Sequence, residues 1–393
     1  MADGNTRLGG REVVIVEAAR TPVGRGHPEK GYYKDLHPSN LLAKAYGELV
    51  SRAGIDPMEI DEVIAGCVQQ FGVQSINIGR NAWLEAGLPK EVPAATVDLQ
   101  CGSAQHSINL AASQIAAGVS DVAVAGGVEH MGKNSFKVAG EVMAEFGSPY
   151  SDELMARYNL IPQGLSAEMI AEQWEIPRSE LDELGLRSQQ LAKQATDEGR
   201  FEREVIPFQV NGDTYVTDQG LRETTLEGLA ALKPAFKEDG RITAGNSSQV
   251  SDGAAAVLLM AREKADALGL TPRARIYDIV TVGVDPVIML TGPIPATEKL
   301  MARNGMKIDD VDLIEINEAF ASVVGAWQRE LEPDMDRVNV NGGAIAIGHP
   351  LGSTGARLIT TLLHEMERSD KEMGLVTMCC GGGLGTGTLI QRV

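Results

Sequence analysis

Short apolar runs alternate with longer amphipathic stretches along this chain, and that rhythm narrows the possible folds more than any other feature. Strands are predicted over 12–18, 62–68, 94–99, 121–125, 254–260, 275–284, 311–316, 338–340 and 374–378. Several are continuously apolar, as strands covered on both faces are. Between them, Leu41, Leu42, Ala45, Leu49 and Val50 recur at helical spacing within 39–53. Leu358, Ile359, Leu362, Leu363 and Met366 do the same within 353–368. The expected class is α/β, a sheet layered with helices. The 44 glycines and the low aromatic share of 4% suit many tight strand-to-helix turns.

One segment recurs. Residues 54–64, from Gly54 through Asp56 and Glu59 to Val63 and Ile64, resemble 305–314, from Gly305 through Asp309 and Asp310 to Leu313 and Ile314. The offset is 251 residues (305 − 54), and each copy leads from a helix end through an acidic turn into an apolar strand. Two similar α/β halves would flank a different middle, roughly 129–250, which is richer in charge. That middle reads as an insertion over one face, with a helix over 179–199 capped by Ser179 and ended by Gly199.

Charge excludes some partners. Asp and Glu number 54 against 35 Lys and Arg, a net −19, so nucleic acid and anionic membrane are not expected to bind. No run of 18 apolar residues offers a membrane span. The first ten residues lack an apolar signal core and read as a short frayed extension, and the last five carry no retention or peroxisomal address. The expected location is the cytoplasm.

Four cysteines, Cys67, Cys101, Cys379 and Cys380, are too few for a disulfide scaffold, and none forms a metal-binding C-x-x-C. No metal is expected. Cys101 follows an apolar strand and precedes Gly102, Ser103 and an Ala-rich helix running to Gly118. A thiol at a helix N-terminus is favoured as thiolate; a packed core cysteine is the alternative. Residues 341–353 deliver His349 between glycines just before a helix, with Pro350 restricting its backbone. That suits a positioned base, or else a structural turn. His364 is expected on a solvated helix face, and His106 is turned away from Cys101. After the strand 374–378 come Cys379, Cys380 and a glycine-rich run, 381–387. Too few residues follow for a dinucleotide fold. Such glycines bring backbone N–H groups close to a substrate oxygen, and Cys379 would be a second thiol. Asn317 and Glu318 follow another apolar strand, as polar groups of a site or as a helix cap.

Cys101-Gly102-Ser103, Asn317-Glu318-Ala319-Phe320, Gly348-His349-Pro350 and Cys379-x-Gly381 together resemble the thiolase family in order and spacing. The resemblance runs from about Val13 to the end and includes 20–24, 245–248 and 251–256. It implies a thiolase-like α/β fold: two similar halves, each a mixed five-stranded sheet layered by helices, plus an inserted loop domain. The implied division is 1–128 with 251–272, then 129–250 as the coenzyme A-binding insertion, then 273–393. Cys101 would be the acyl-carrying nucleophile, His349 its activator and Cys379 the group that moves the α-carbon proton. Asn317, through a held water, and His349 would stabilise an enolate-like oxygen. The backbone N–H groups of Cys101 and Gly381 would form the oxyanion hole. Arg222 and Ser248 match coenzyme A contacts. The co-substrates would be acyl-CoA and coenzyme A, without a prosthetic group, in a homodimer or homotetramer.

Gln163 departs from the pattern: many members have Met there, and short-chain biosynthetic members often have His-Met where this chain has Pro162-Gln163. Together with 126–132, this favours a degradative 3-ketoacyl-CoA thiolase over a biosynthetic acetyl-CoA C-acetyltransferase. Two rivals are a decarboxylating 3-ketoacyl synthase, which Cys379 argues against, and a catalytically silent lipid-binding relative, which would not need all four motifs.

Overall fold

The computed structural model describes residues 8–393; the first seven residues of the expected frayed extension lie outside them. The strands are β1 (Val13–Arg20), β2 (Gly24–Arg25), β3 (Glu62–Gly66), β4 (Ala94–Val97), β5 (Val122–His130), β6 (Phe208–Val210), β7 (Asp213–Tyr215), β8 (Ser251–Ala261), β9 (Ala274–Gly283), β10 (Leu313–Ile316), β11 (Met373–Cys380) and β12 (Leu384–Arg392). The main sheet runs β10-β11-β12-β9-β1-β8-β5-β3-β4, with β2 on β8.

The pairing pattern is the same on both sides of the β1–β9 contact. β3 lies parallel to β4 and β5, and β8 is antiparallel to β5 and β1. On the other side β10 is parallel to β11, and β12 is antiparallel to β11 and β9. The join is short, Val14 to Arg275 and Ile15 to Ala274. The sequence offset is kept in space: β3 and β10, β5 and β11, and the helices Ser103–Ala116 and Thr354–Ser369 each begin 251 residues apart. Gly54 and Gly305 close matching helices in the same left-handed conformation, φ 65°.

Those two helices form the middle of the molecule. Ser103–Ala116 packs on β3, β5 and β8 and also on β9 and β12; Thr354–Ser369 packs on β1, β5 and β8 and on β10 and β11. Thr354–Met366 is buried on every side, as a helix covered by strands from both halves of the sheet must be. His364 is therefore buried, contrary to the expected solvated face.

Four other expectations need correction. Residues 338–340 form no strand: Val338 makes one bridge to Ile314, and Asn339 turns left-handed. The Asn339 side chain replaces the ladder, accepting from Ile316 N (2.9 Å) and donating to Ile316 O (3.0 Å). The glycine run 381–387 is a turn only to Gly383; β12 then pairs with β11 and β9. Gly385 and Gly387 are there because the segment from Gly292 to Leu300 packs directly on the strand. β5 does not end at 125 but continues through Gly126 and Gly127 to His130. The helix Arg178–Asp197 has Pro177 at its start and no side-chain cap, so Ser179 does not cap it. No helix among the described residues is long and apolar enough to cross a membrane.

Candidate active site

Cys101 sits where β4 gives way to the helix Ser103–Ala116. Gln100 before it is left-handed, φ 51°, and the turn is locked by Ser103: its Oγ accepts from Leu99 N (2.9 Å) and donates to Gln100 O (2.6 Å). A strained residue before a buried thiol is a feature of turns that present a reactive group. Cys101 is 5% exposed, and burial pushes its thiol up to about 11, even though the N–H of Gly381 and its own N–H hydrogen-bond to the sulfur. Desolvation thus works against the thiolate that the helix N-terminus and these N–H groups favour.

A second turn, 349–353, meets this one at glycine-only contacts. A methyl on Gly66 would come within 2.5 Å of Ala104 N and 2.8 Å of Gly352 O; one on Gly127 would lie 2.0 Å from Gly352 O. Glu129, at the end of β5, binds both sides of the junction. Its carboxylate accepts from Val68 N (3.0 Å), Gln69 N (3.1 Å), Gln74 Nε2 (2.6 Å) and Gly352 N (2.9 Å). Burial pushes Glu129 up to about 6 despite these donors. Sequence reasoning missed this role; Glu129 reads there only as part of a glycine-flanked run.

His349 is buried. Thr354 Oγ1 donates to Pro350 O (2.8 Å), so it accepts from His349 Nδ1 (2.6 Å), which leaves the Nε2 lone pair facing Asn317 Nδ2 (3.3 Å). Burial, then the Arg357 cation, pushes His349 down to about 3, so the ring is a neutral base. Asn317 extends the β10–β11 ladder, its N–H donating to Thr377 O (3.0 Å). It contacts His349 directly, and its Oδ1 is buried without a hydrogen-bond partner. Neither Asn317 nor Glu318 caps the following helix, which starts at Ala321 with Phe320 before it. Glu318 instead accepts from Ser188 Oγ (2.6 Å), Asn339 Nδ2 (2.9 Å) and Ile345 N (3.1 Å), fixing the loop that leads to His349.

Cys379 lies at the end of β11, fully buried, its thiol raised by burial and then by nearby Cys101. Cys380 packs on the opposite side, against Gly102. Gln163, in the middle segment, reaches the same place: a methyl on Gly381 would lie 2.8 Å from Gln163 Nε2 and 3.1 Å from Gln100 Oε1. The structure thus brings Cys101, Cys379 and Gly381 together, and joins Asn317 to His349. His106 is elsewhere, lining a cleft of about 270 Å³ with Ser113, Lys299 and Arg303.

Ser248 and Arg222 lie one layer out. Ser248 N donates to Ala319 O (3.0 Å), and its neighbour Gln249 accepts from His349 N (3.2 Å). The Gln249 amide also donates to Gly220 O (2.8 Å) and Ile345 O (2.9 Å), so one side chain ties the Arg222 segment to the His349 loop. Arg222 is exposed at the surface, its guanidinium lowered by partial desolvation and by nearby Arg25. No carboxylate among the described residues lies within 4.0 Å of it, unlike most arginines here.

Comparison with known proteins identifies the family. Residues 13–263 match the thiolase N-terminal domain model and 270–392 the thiolase C-terminal domain model. The chain is 46% identical to the steroid 3-ketoacyl-CoA thiolase FadA6 of Mycobacterium tuberculosis, over 97% of this chain and 94% of that protein. It is 45% identical to an acetyl-CoA acetyltransferase of Syntrophomonas wolfei, over 98% of this chain and 100% of that one. Against a 3-ketoacyl-CoA thiolase of Saccharophagus degradans the figure is 42%, over 98% and 99%. The crystal structure of the Bacillus anthracis acetyl-CoA acetyltransferase superposes with a TM-score of 0.89 at 39% identity, covering 98% of this chain and 100% of that one. With both domain models matched in order across nearly its whole length, this chain belongs to the thiolase family.

Proposed function

We propose that the chain is a 3-ketoacyl-CoA thiolase, an acyltransferase that cleaves 3-ketoacyl-CoA with coenzyme A to acetyl-CoA and a shortened acyl-CoA. The observation that carries this reading is the pair of neighbouring buried thiols, Cys101 and Cys379, the first under the Gly381 N–H, with a neutral histidine fixed by Thr354 and Asn317. His349 takes the Cys101 proton as sulfur attacks the β-carbonyl. The N–H groups of Cys101 and Gly381 stabilise the tetrahedral oxyanion. The Cα–Cβ bond then breaks, and Cys379 gives its proton to the departing α-carbon while Asn317 and His349 stabilise the thioester enolate. The acyl group stays on Cys101 until coenzyme A, passing its thiol proton to Cys379, displaces it, and His349 returns its proton to the released Cys101; this ping-pong cycle needs no prosthetic group.

The segment 129–250 is the coenzyme A-binding insertion in this reading, with 1–128 and 251–272 as the first half and 273–393 as the second. Arg222, an exposed cation with no carboxylate within 4.0 Å among the described residues, would meet coenzyme A's phosphates, and Ser248 would bind beside it. The working form is a homodimer or homotetramer in the cytoplasm. Gln163 at the Gly381 turn, where many relatives have Met, favours the degradative direction over acetoacetyl-CoA synthesis.

The test separates the thiols. Cys379→Ala should still form acetyl-enzyme on Cys101 from acetyl-CoA but lose acetoacetyl-CoA thiolysis by about 10²- to 10⁴-fold. Cys101→Ala should lose both steps. Intact-protein mass and a thiolysis assay read the two. A folded Cys379→Ala enzyme with near-normal thiolysis would sink the mechanism. Thiolysis across acyl lengths, including branched and ring-bearing substrates, then defines the substrate range.

A further inference from the structure

The helix Ser103–Ala116 carries two polar side chains that thiolysis does not use. Asn109 is 4% exposed; its Oδ1 accepts from Thr388 Oγ1 (2.8 Å), and its Nδ2 is buried with no hydrogen bond. His106, three residues earlier and so on the same helix face, has a buried Nδ1 that is equally unpartnered. Buried polar groups nearly always find partners, so two orphans on one face point to a missing one. Both line the cleft of about 270 Å³ that β9 and the helix Pro293–Asn304 complete.

The carboxylate beside this cleft is already taken. Asp278 accepts from Arg303 Nε (2.8 Å) and Nη2, Asn304 Nδ2 (2.7 Å) and Ile279 N (2.8 Å). The donors are not. Arg303 keeps its Nη1 unused, and no carboxylate among the described residues lies within 4.0 Å of Lys299. Asp278 balances Arg303, and burial lowers His106, so its ring is uncharged near neutral pH. Lys299 is left as an uncompensated cation in a chain that carries −19. Leu110 and Ile279, both half-buried, give the cleft an apolar wall.

We propose that this cleft is a binding site for a small organic carboxylate. Free donors beside one unpaired cation suit an anion of single charge, and the apolar wall suits a short hydrocarbon body behind it. The volume, just below that of drug-sized pockets, limits its length. Asn109 Nδ2, Arg303 Nη1 and Lys299 Nζ hold the carboxylate oxygens, and Leu110 and Ile279 cover the chain. None of these residues takes part in the proposed thiolysis, so binding here is independent of that reading.

Saturation-transfer NMR on the full-length protein, with hexanoate as the probe and coenzyme A present, reads the site. Hexanoate should bind the unsubstituted protein. K299Q should weaken binding about threefold to fivefold, the worth of an exposed charge pair. N109D keeps the bond from Thr388 but turns the free donor into a carboxylate oxygen, and should weaken binding at least about tenfold. Hexanol, which lacks the charge, should also bind at least about tenfold more weakly, and inorganic phosphate, which lacks the chain, should bind more weakly than hexanoate. No hexanoate binding up to about 10 mM, or binding that both variants leave unchanged, would overturn the proposal. Phosphate binding as tight as that of hexanoate would overturn the organic carboxylate as its ligand. A lower mass by light scattering in K299Q would show that a second copy of the chain covers the cleft, and would overturn it too. Should N109D fail to fold by circular dichroism, K299Q decides: a loss of at least about twofold supports the site, and a smaller one overturns it.

Discussion

His349 lies just before the buried helix Thr354–Ser369 and His364 within it; both are buried, and burial first, then a neighbouring arginine, pushes each down to about 3. The sign follows from linkage. A histidine lowered in the folded state holds its proton less well than in the unfolded chain, so its stabilising share is complete above about pH 6.5 and is lost as pH falls toward 3. Each such group removes about 1.4 kcal/mol per pH unit below 6.5. His364 donates to or accepts from no catalytic group, only Thr360 O at 2.8 Å. His364→Gln should therefore flatten the fall of unfolding free energy between pH 6 and 4.5 by about that slope, read by urea denaturation; an unchanged slope would show that His364 protonates freely. The thiols give a second residue-scale test. Cys67 is fully buried beside Glu129, whose charge adds to desolvation in raising it, whereas Cys101 is slightly open and held by the Gly381 N–H. Iodoacetamide should label Cys101 before Cys67, and acyl-CoA should slow that labelling; peptide mapping that finds Cys67 first would contradict it. The positions of the chemical groups were readable because Cys101, Asn317, His349 and Cys379 each stand at the end of an apolar strand or the start of a helix. Their protonation was not, because desolvation depends on layers brought together from both halves of the chain, far apart in sequence.

Matching elements should respond alike to matching changes. Gly54 and Gly305 end helices in the same left-handed conformation, and a methyl at either meets nothing within 4 Å. Alanine at each therefore costs only the backbone strain, about 1 to 2 kcal/mol. Gly54→Ala and Gly305→Ala should lower unfolding free energy by similar amounts and leave thiolysis unchanged. A difference of more than about 1 kcal/mol between them would mean that one end is held by contacts the other lacks. Element by element, the apolar runs were legible: eight of the nine predicted strands lie on observed ones. The failures share a cause. Gly126, Gly127, Gly385 and Gly387 look like loop residues, yet each sits in a strand where another backbone or an apolar side chain comes too close for a Cβ. At 338–340 the reverse holds, since Asn339 satisfies the ladder of β10 with its side chain and no strand is needed. Local composition cannot distinguish a flexible glycine from a crowded one; only the neighbouring layer does.

At the scale of the whole molecule, the two ends of the sheet are treated differently. Beyond β10 the edge is closed by Val338 and the Asn339 side chain. β4, at the other end, is only half-buried and pairs on one side with β3, with Asn77 reaching Ala94 O (2.9 Å) as a partial cover. An open edge strand is a template for another chain, and a second copy pairing along β4 is how the proposed dimer would close it. Charge works against this union, because each copy carries −19. Association must then come from the ladder and from apolar contact, and it should strengthen as salt screens the repulsion, the screening length falling from about 30 Å at 0.01 M to about 8 Å at 0.15 M. Light scattering should give two or four times 41.8 kDa at working concentration. On dilution at low ionic strength the mass should fall toward one copy, and added salt should restore it. A species of 41.8 kDa alone at every salt concentration would refute the assembly, and a dimer that salt dissociates would show that ion pairs, rather than the β4 edge, hold the copies together.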